Sequence, residues 1–370
     1  MDGRQRVVVA MSGGVDSAVA AARVVAAGHD VVGISLRLAA GGGGSCCSLD
    51  DFHDARAVAD RLGFPHYVFD LADDFERHVV RPFVAEYLAG RTPNPCARCN
   101  RHLKFGALWE RARALGARWL ATGHYARIGT DPATGRPYLR TAVDAAKDQT
   151  YFLFALGPAD LAHTLFPVGD LTKAEVRAEA AALGLAVADK PESMEVCFVP
   201  DGDVAAFVER HAPAEALRPG PIVDESGRAL GRHAGVHRFT VGQRRGLGLA
   251  CGSGTRRYVR ALDAGTATVT VSDAAGLRAR GLVAREVSWT SGAPPAPDTR
   301  LAVRIRHRHP PVRARLARAD GAATTILFED DGPAVTPGQA AVFYRGDAVL
   351  GGGWIAEALA QRAANERGAR

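Results

Sequence analysis

Near the N-terminus of the chain, a short apolar run changes into a helical pattern at a pair of glycines. Residues 7–10 (VVVA) are typical of a buried strand, and residues 16–28 (DSAVAAARVVAAG) are typical of a helix that ends at Gly28. Gly13 and Gly14, between the two, allow a backbone to approach an anion, and the first N–H groups of the helix point to the same place. The pattern predicts a phosphate-binding turn.

The order of strand, helix and strand continues along the first third of the chain. Apolar runs predict strands at 29–38 and 64–71 and a further strand that ends in Thr122, Gly123 and His124, and a polar start with Ser48 or Asp50 as cap predicts a helix that ends near residue 62. This order is typical of an α/β fold with a doubly wound, Rossmann-like parallel sheet, which binds ligands at the carboxyl ends of its strands. On such a sheet Leu36 would touch an adenine, and Gly123 would let a ligand or a backbone come close.

The pattern changes beyond about residue 205. Short β-like runs separated by glycines predict a small β-rich unit at 205–277, and regular strands with turn signals predict a small barrel or sandwich at 278–357, of which we expect the β-barrel. The phosphate-binding unit would then span 1–204, and 358–370 would be a tail. The expected organisation is a parallel sheet followed by two β domains.

The glycine turn has a chemical meaning beyond its shape. It is not the Walker A sequence, because the lysine of that motif is absent, and it is not G-x-G-x-x-G. A loop of this type suits pyrophosphate as a leaving group, so attack would fall on the α-phosphate and give an adenylated intermediate. The string SGGVDS resembles the PP-loop of ATP pyrophosphatases, which implies ATP and Mg²⁺ as cofactors.

Charge and hydropathy narrow the classes of partner. The chain has 370 residues and a formal net charge of +6, and no apolar run approaches the 18 residues of a membrane span, so we expect a cytoplasmic protein without a membrane partner.

Between Arg278 and Arg318 there are ten arginines and only two acidic residues. Arginines that alternate along strands 304–318 could face an RNA backbone, or could simply form a solvated strand face.

Two of the six cysteines stand in suggestive surroundings. Cys99 is predicted at or just before a helix N-terminus, close to Arg98 and Arg101, and both features favour a thiolate. Cys197 is predicted in a short strand behind the loop DKPES at 189–193. Cys46 and Cys47 adjoin a glycine-rich loop and Cys251 lies among glycines, so no role is assigned to these three.

These signals together resemble one family, the tRNA-specific 2-thiouridylases (MnmA family). The resemblance is collinear over nearly the whole chain. The strings that carry it are SGGVDS (12–17), TPNP (92–95) with CN (99–100), ATGHYAR (121–127), KDQTYFL (147–153), CFVP (197–200), VGQRRGLG (241–248), GQAAVFY (338–344) and LGGGWI (350–355). It implies adenylation of the C2 oxygen of the wobble uridine, position 34, and its replacement by sulfur from a cysteine persulfide.

The resemblance also implies roles for individual residues. Cys99 would be the nucleophile that faces the target base, and Cys197 would carry the persulfide. The residues implied to bind ATP are Ala10, Met11, Ser12, Gly13, Gly14, Val15, Asp16, Ser17, Leu36 and Gly123. Asn94, Pro95 and Cys96 would border the flipped-out base, and the implied tRNA contacts are His124, Lys147, Asp148, Gln149, Arg306, His307 and Gln339. The implied partners are the wobble-uridine tRNAs for Lys, Glu and Gln and a sulfur donor such as a cysteine desulfurase or a relay protein.

One position departs from the family. Many members carry Asp, proposed as a general acid or base, where this chain has Cys96, and the change creates Cys96-x-x-Cys99. Three interpretations stay open: Cys99 and Cys197 act as a thiol pair, the three thiols including Cys96 hold a [4Fe–4S] cluster with one open iron, or the C-x-x-C pair is inert.

Two other classes of function compete with thiolation. Asparagine and argininosuccinate synthetases use a similar SGG-x-DS loop in amidating or ligating reactions, but they need neither two thiols nor an Arg-rich β domain. A tRNA-binding protein without catalysis would not need the intact loop and both cysteines.

Overall fold

The computed structural model describes residues 4–38, 48–191, 196–199, 202–249 and 256–360. Its N-terminal part contains a five-stranded parallel sheet in the order β3-β2-β1-β4-β7. The strands are β1 (Arg6–Ala10), β2 (Asp30–Arg37), β3 (His66–Asp70), β4 (Trp119–Thr122) and β7 (Thr164–Leu165). The order reverses at β1, so the predicted phosphate turn lies at the switch point of the sheet, where this architecture binds ligands. The predicted Rossmann-like sheet is confirmed.

Helices cover both faces of this sheet, and the last of the helices leads into the central β-rich unit. They are α1 (Val15–Ala26), α2 (Leu49–Leu62), α3 (Ala72–Phe75), α4 (Arg81–Leu88), α5 (Pro95–Cys99), α6 (Leu108–Ala114), α7 (Pro158–Leu161), α8 (Lys173–Ala182) and α9 (Val204–His211). The start of α2 is fixed by Ser48, whose hydroxyl accepts from the Asp51 N–H at 3.1 Å, as the polar start at this position predicts. Among the helices described, none is both long enough and apolar enough to cross a bilayer.

The helix after Cys99 differs from the regular α-helix that its apolar spacing predicts. Residues Asn100–Ala107 form a π-helical segment between α5 and α6, and a second one, Glu76–Val80, joins α3 to α4. Leu103 and Leu108 are both fully buried although they are five residues apart, which is the spacing of i→i+5 hydrogen bonding. The two leucines pack into different apolar clusters, Leu103 with Phe83 and Leu108 with Leu120.

The central unit is a four-stranded sheet in the order β10-β11-β8-β9. Its strands are β8 (Gly220–Val223), β9 (Ala229–His233), β10 (Tyr258–Asp263) and β11 (Thr268–Ser272). Ile222, Val259 and Val269 are buried at its centre. α9, which begins next to the predicted boundary, packs Phe207 at 6.0 Å from Phe83 of the first unit.

The C-terminal unit is a closed six-stranded barrel, as the sequence predicts. The strands are β12 (Ala279–Trp289), β13 (Arg300–Arg304), β14 (Val312–Ala319), β15 (Thr324–Gly332), β16 (Ala340–Arg345) and β17 (Ala348–Ala360). Antiparallel pairing runs β12-β15-β14-β13-β16-β17, and β17 pairs back with β12. Closure removes the sheet edges that would otherwise be open to pairing.

A hairpin of the first unit extends the sheet of the barrel. β5 (Ala126–Thr130) and β6 (Pro137–Thr141) leave the parallel sheet just after β4, and Arg140 on β6 pairs in register with Ala348 on β17. The Arg140 guanidinium also donates to Asp347 at 2.5 Å and 2.9 Å. One apolar cluster contains Leu120 of the parallel sheet, Leu139 of the hairpin and Val342 of the barrel. The two units therefore share a core.

Candidate functional site

The phosphate turn lies between β1 and α1 and is held in a conformation that requires glycine. Gly13 has φ +71°, and a Cβ at this position would lie 2.4 Å from the carbonyl oxygen of Asp51. The Ser17 hydroxyl donates to the Gly14 carbonyl at 2.9 Å, and the Ser12 N–H donates to the Ser17 hydroxyl at 3.2 Å. The turn is therefore a preformed cradle at the N-terminus of a 12-residue helix.

Two lysines from distant parts of the chain contact this cradle. Lys173, at the start of α8, donates to both Asp16 carboxylate oxygens at 2.7 Å and 2.9 Å. Lys190 donates to the Gly13 carbonyl at 3.0 Å, to Asp51 at 2.7 Å and to Asp54. The loop sequence lacks a lysine, but the fold supplies two.

The electrostatics of Asp51 keep one of these lysines in place. Burial would raise the pKa of Asp51, but hydrogen bonds from Lys190 and Ser48 outweigh burial and hold that pKa below its ordinary value. Asp51 is therefore an ionised partner for the ammonium near neutral pH.

A cavity of about 210 Å³, the nucleotide cavity, opens beside the cradle. It is lined by Ala10, Met11, Ser12, Asp16, Ser17, Ile34, Leu36, Leu38, Asp51, Phe52, Lys104, Thr122, Gly123, His124 and Gln149. Leu36 and Gly123 thus lie where the sequence places them. A Cβ on Gly123 would lie 2.6 Å from the backbone of Asp16 and Ser17, so this glycine lets the end of β4 approach the start of α1.

A larger cavity of about 740 Å³, the thiol cavity, adjoins the first. Cys96, Cys99 and Cys197 all line it, together with Arg304, His307 and Arg308 from the barrel. The residues that line both cavities are Leu38, Lys104, His124 and Gln149. The fold therefore brings the two candidate catalytic cysteines to one chamber that continues into the nucleotide cavity.

The surroundings of Cys99 differ from the sequence prediction. The helix begins earlier, because the Asn94 side chain accepts from the Ala97 N–H at 3.2 Å and Pro95 occupies the first helical position. Cys96 consequently lies in the first turn with an exposed side chain, and Cys99 lies at the end of α5. The field of the helix N-terminus falls off within the first turn, so it acts more on Cys96 than predicted and less on Cys99.

Cys197 lies in a turn and not in a strand. The Val199 N–H donates to the Val196 carbonyl at 3.0 Å, which closes the turn around this cysteine. The next residue, Phe198, packs edge-on against Phe75 at 5.3 Å and Phe83 at 5.1 Å. These aromatic contacts hold the turn against α3 and α4. Cys197 is half-buried at the wall of the thiol cavity.

The donor set does not support the cluster interpretation. Across the described residues, no three His, Cys, Asp or Glu side chains form a group that could hold a metal ion, although Cys96, Cys99 and Cys197 line one cavity. Cys46, Cys47 and Cys251, as well as residues 192–195 of the loop before Cys197, lie outside the described residues.

The residues implied to contact tRNA fall into two groups. Pro95, Cys96, His124, Lys147, Asp148, Gln149 and His307 line the thiol cavity. Asn94, Arg306 and Gln339 make internal contacts: Arg306 donates to the Val241 carbonyl at 2.9 Å, and the Gln339 amide donates to the Thr92 carbonyl at 3.0 Å. These three side chains hold the barrel and the start of α5 in place, and their contact with tRNA stays a prediction.

The arginines of the barrel are less uniform than their sequence suggests. Arg304 forms an ion pair with the buried Asp148 at 3.1 Å, so it is a structural contact. Exposed arginines on β13 and β14 pair with acidic residues of neighbouring segments, as in Arg313–Glu329 and Arg315–Asp298. Arg308 lies in the turn between β13 and β14, is exposed and lines the thiol cavity, which makes it the best placed arginine of this segment to meet a polyanion.

Motif reasoning found Lys147 but missed the other three lysines, Lys104, Lys173 and Lys190. Only four of the 46 basic residues are lysines. Lys104 lines both cavities, Lys147 lines the thiol cavity, and Lys173 and Lys190 contact the cradle. In a chain that uses arginine almost everywhere else, the rare lysines mark the site.

Comparisons with known proteins agree with this organisation. Family models match residues 5–201 (tRNA methyl transferase HUP domain), 205–273 (tRNA methyl transferase PRC-barrel domain) and 279–355 (aminomethyltransferase beta-barrel domain). Among solved structures, the U34-tRNA thiolase NcsA from Methanococcus maripaludis with its [4Fe-4S] cluster matches 56% of this chain and 64% of that chain at 17% identity and a TM-score of 0.35, a likeness too loose to bear on the site.

Curated relatives cover almost the whole chain. The tRNA-specific 2-thiouridylase MnmA of Solibacter usitatus is 50% identical and covers 95% of this chain and 99% of that protein. The protein of the same name from Thermobifida fusca is 48% identical, over 97% of this chain and 98% of its own length. This chain therefore belongs to the tRNA-specific 2-thiouridylase family.

Proposed function

We propose that the protein uses ATP to replace the C2 oxygen of the wobble uridine of tRNA, position 34, with sulfur. The observation that carries the proposal is the chamber shared by Cys99 and Cys197, which are far apart in sequence, and its continuity with the nucleotide cavity. An amidating or ligating synthetase needs a phosphate cradle but has no use for two thiols in the adjoining chamber.

In the first half-reaction, the uridine O2 attacks the α-phosphorus of ATP. The bond between the α-phosphorus and its bridging oxygen to the β-phosphorus breaks, pyrophosphate leaves, and the uracil N3 proton is lost as the adenylated base forms. The cradle of Ser12–Ser17 would hold the pyrophosphate, with Lys173 and Lys190 beside it. Asp16 and Asp51, which line the cavity, fit the one or two carboxylates that Mg²⁺ takes when it is also bound to phosphates. Mg²⁺ would neutralise charge on the leaving pyrophosphate.

In the second half-reaction, the terminal sulfur of a Cys197 persulfide attacks C2, the C2–O bond breaks, and AMP leaves with the oxygen. The Cys99 thiolate then attacks Sγ of Cys197, so that the S–S bond to the transferred sulfur breaks and a Cys99–Cys197 disulfide forms. The base keeps the sulfur as a thiocarbonyl and regains its N3 proton. An external thiol must reduce the disulfide by two electrons before a sulfur donor reloads Cys197.

The partners follow from this chemistry. The substrates would be the tRNAs for Lys, Glu and Gln, and the sulfur would come from a cysteine desulfurase or a persulfide relay protein. The cytoplasm, where such tRNAs are present, is the location we propose. The flipped-out base would enter the thiol cavity, which both Cys99 and Cys197 line.

The proposal is tested by the products of ATP. With ATP labelled at its α- and γ-phosphates, Mg²⁺ and a persulfide donor, we expect AMP and pyrophosphate in equal amounts only when tRNA with uridine at position 34 is added, and none with a matched transcript that carries cytidine there. Stoichiometric ADP and phosphate, or pyrophosphate release that depends on an amino acid and not on tRNA, would contradict the proposal. The first result would point to γ-phosphoryl transfer and the second to a ligase.

The contribution of Arg308 to tRNA affinity is tested by salt. We expect Arg308→Gln to weaken tRNA binding and to lower the slope of log K against log salt by roughly 0.7–0.9, the value of one lost phosphate contact. Arg313→Gln is the matched control, because Arg313 is exposed on the barrel but pairs with Glu329 and Asp330. Equal slopes in the wild type and in Arg308→Gln would show that Arg308 is a solvated surface residue that makes no phosphate contact.

A further inference from the structure

The junction between the two cavities contains one cationic side chain among its four shared residues. Leu38 and Gln149 are neutral, and His124 is neutral near pH 7, because burial, assisted by the nearby charge of Lys104, holds the pKa of His124 well below its ordinary value. Lys104 therefore supplies the positive charge at the point where the nucleotide cavity meets the chamber of the thiols.

The π-helical segment explains how Lys104 reaches this point. In a regular α-helix, residues 99 and 104 would be about 140° apart around the axis, so they would face different sides. Because i→i+5 hydrogen bonding places residue i+5 about one turn above residue i, Cys99 and Lys104 both line the thiol cavity. The flanking Leu103 and Phe105 are 0% and 5% exposed and anchor the segment in the core.

The chemistry proposed above generates negative charge at this junction. When the uridine O2, in the thiol cavity, attacks the α-phosphorus, in the nucleotide cavity, charge accumulates on the non-bridging α-phosphate oxygens. Lys173 and Lys190 contact the cradle, where the pyrophosphate would lie, and so they are placed for the leaving group. The reacting phosphorus has to lie nearer the junction, because the uridine approaches from the thiol cavity.

We propose that Lys104 is a catalytic residue of the adenylation step, whose ammonium binds the non-bridging oxygens of the α-phosphate as the uridine attacks. The proposal rests on the proposed function. The ammonium of a lysine is a compact point charge, which suits contact with phosphate oxygens, and this chain otherwise prefers arginine. The same residue, five positions after Cys99, couples the position of the charge to that of the nucleophile.

The test separates binding from chemistry. With Lys104→Met, single-turnover pyrophosphate release at saturating ATP and tRNA should fall by roughly 10²–10³-fold, the usual effect of removing a group that stabilises transition-state charge. ATP and tRNA affinities should change by less than about threefold, because the contact strengthens in the transition state. Lys104→Arg should recover part of the lost rate. Arg113→Met removes one exposed positive charge from the same helical run and should keep the wild-type rate.

Several results would overturn the assignment. A Lys104→Met rate close to that of the wild type would remove Lys104 from the chemistry, and so would a loss explained entirely by weaker ATP or tRNA binding. If Lys104→Met does not fold, as judged by its thermal melt, a folded Lys104→Arg with no gain over Lys104→Gln overturns it equally. Failure of the wild type to release pyrophosphate with tRNA is a different outcome and defeats the proposed function itself.

Discussion

Cys99→Ser and Cys197→Ser are each expected to reduce 2-thiouridine formation to the detection limit while ATP and tRNA binding persist. Both thiols line the chamber that joins the nucleotide cavity, and each has a separate duty in the proposed transfer. Without Cys197 no persulfide forms, and without Cys99 the transferred sulfur stays linked to the enzyme. Thiolated nucleoside after digestion of the tRNA measures the first loss, and filter binding measures the retained affinity.

The two variants should also differ from each other. Cys99→Ser, supplied with persulfide, should trap a covalent link between Cys197 and the tRNA through sulfur, whereas Cys197→Ser should accumulate adenylated tRNA. The wild type after one turnover without reductant should contain a Cys99–Cys197 disulfide, detectable by mass spectrometry of unreduced peptides.

Cys96→Ser is the matched control, because Cys96 lines the same cavity one helical turn earlier. We expect it to keep most activity. If Cys96→Ser is as inactive as the other two and the active enzyme contains stoichiometric iron, the three thiols are cluster ligands and the disulfide scheme is wrong.

Asp16→Asn is expected to lower tRNA-dependent AMP formation by roughly 10²–10³-fold. The carboxylate would hold Mg²⁺ against the pyrophosphate and fixes Lys173, which lies 2.7 Å from it. The amide retains the shape of the side chain and can still accept from Tyr125, so the effect reports lost charge more than lost packing.

A surface carboxylate provides the control for Asp16. Asp30 forms an exposed ion pair with Arg6 near the start of β2, and Asp30→Asn should leave AMP formation unchanged. Retention of full activity by Asp16→Asn at limiting Mg²⁺ would show that neither the metal nor Lys173 depends on this carboxylate.

The sequence was a good guide where local physics decides the structure. The SGG turn, the cap at Ser48 and the alternating strands of the barrel each depend on neighbours within a few residues. The sequence alone also predicted the phosphate cradle and the positions of Leu36 and Gly123, which line the nucleotide cavity.

Elsewhere tertiary contacts decided the outcome. Cys197 was expected in a strand, but Phe198 packs into an aromatic cluster and the backbone turns to allow it. Lys190 lies 177 positions from the carbonyl of Gly13 that it contacts, a distance over which no local pattern carries information. The π-helical segment was missed because a search at period 3.6 cannot detect a short segment with wider turns.

The hairpin β5–β6 has a consequence for protein engineering. Since it belongs to the first unit by sequence but extends the sheet of the barrel, a chimera cut only at the linker before residue 279 would place a foreign β17 against a native β6. Exchange of barrels among relatives should therefore carry residues 126–141 along with the C-terminal segment. The barrel and its hairpin therefore form one exchangeable unit, made of two pieces of chain that only the folded protein brings together.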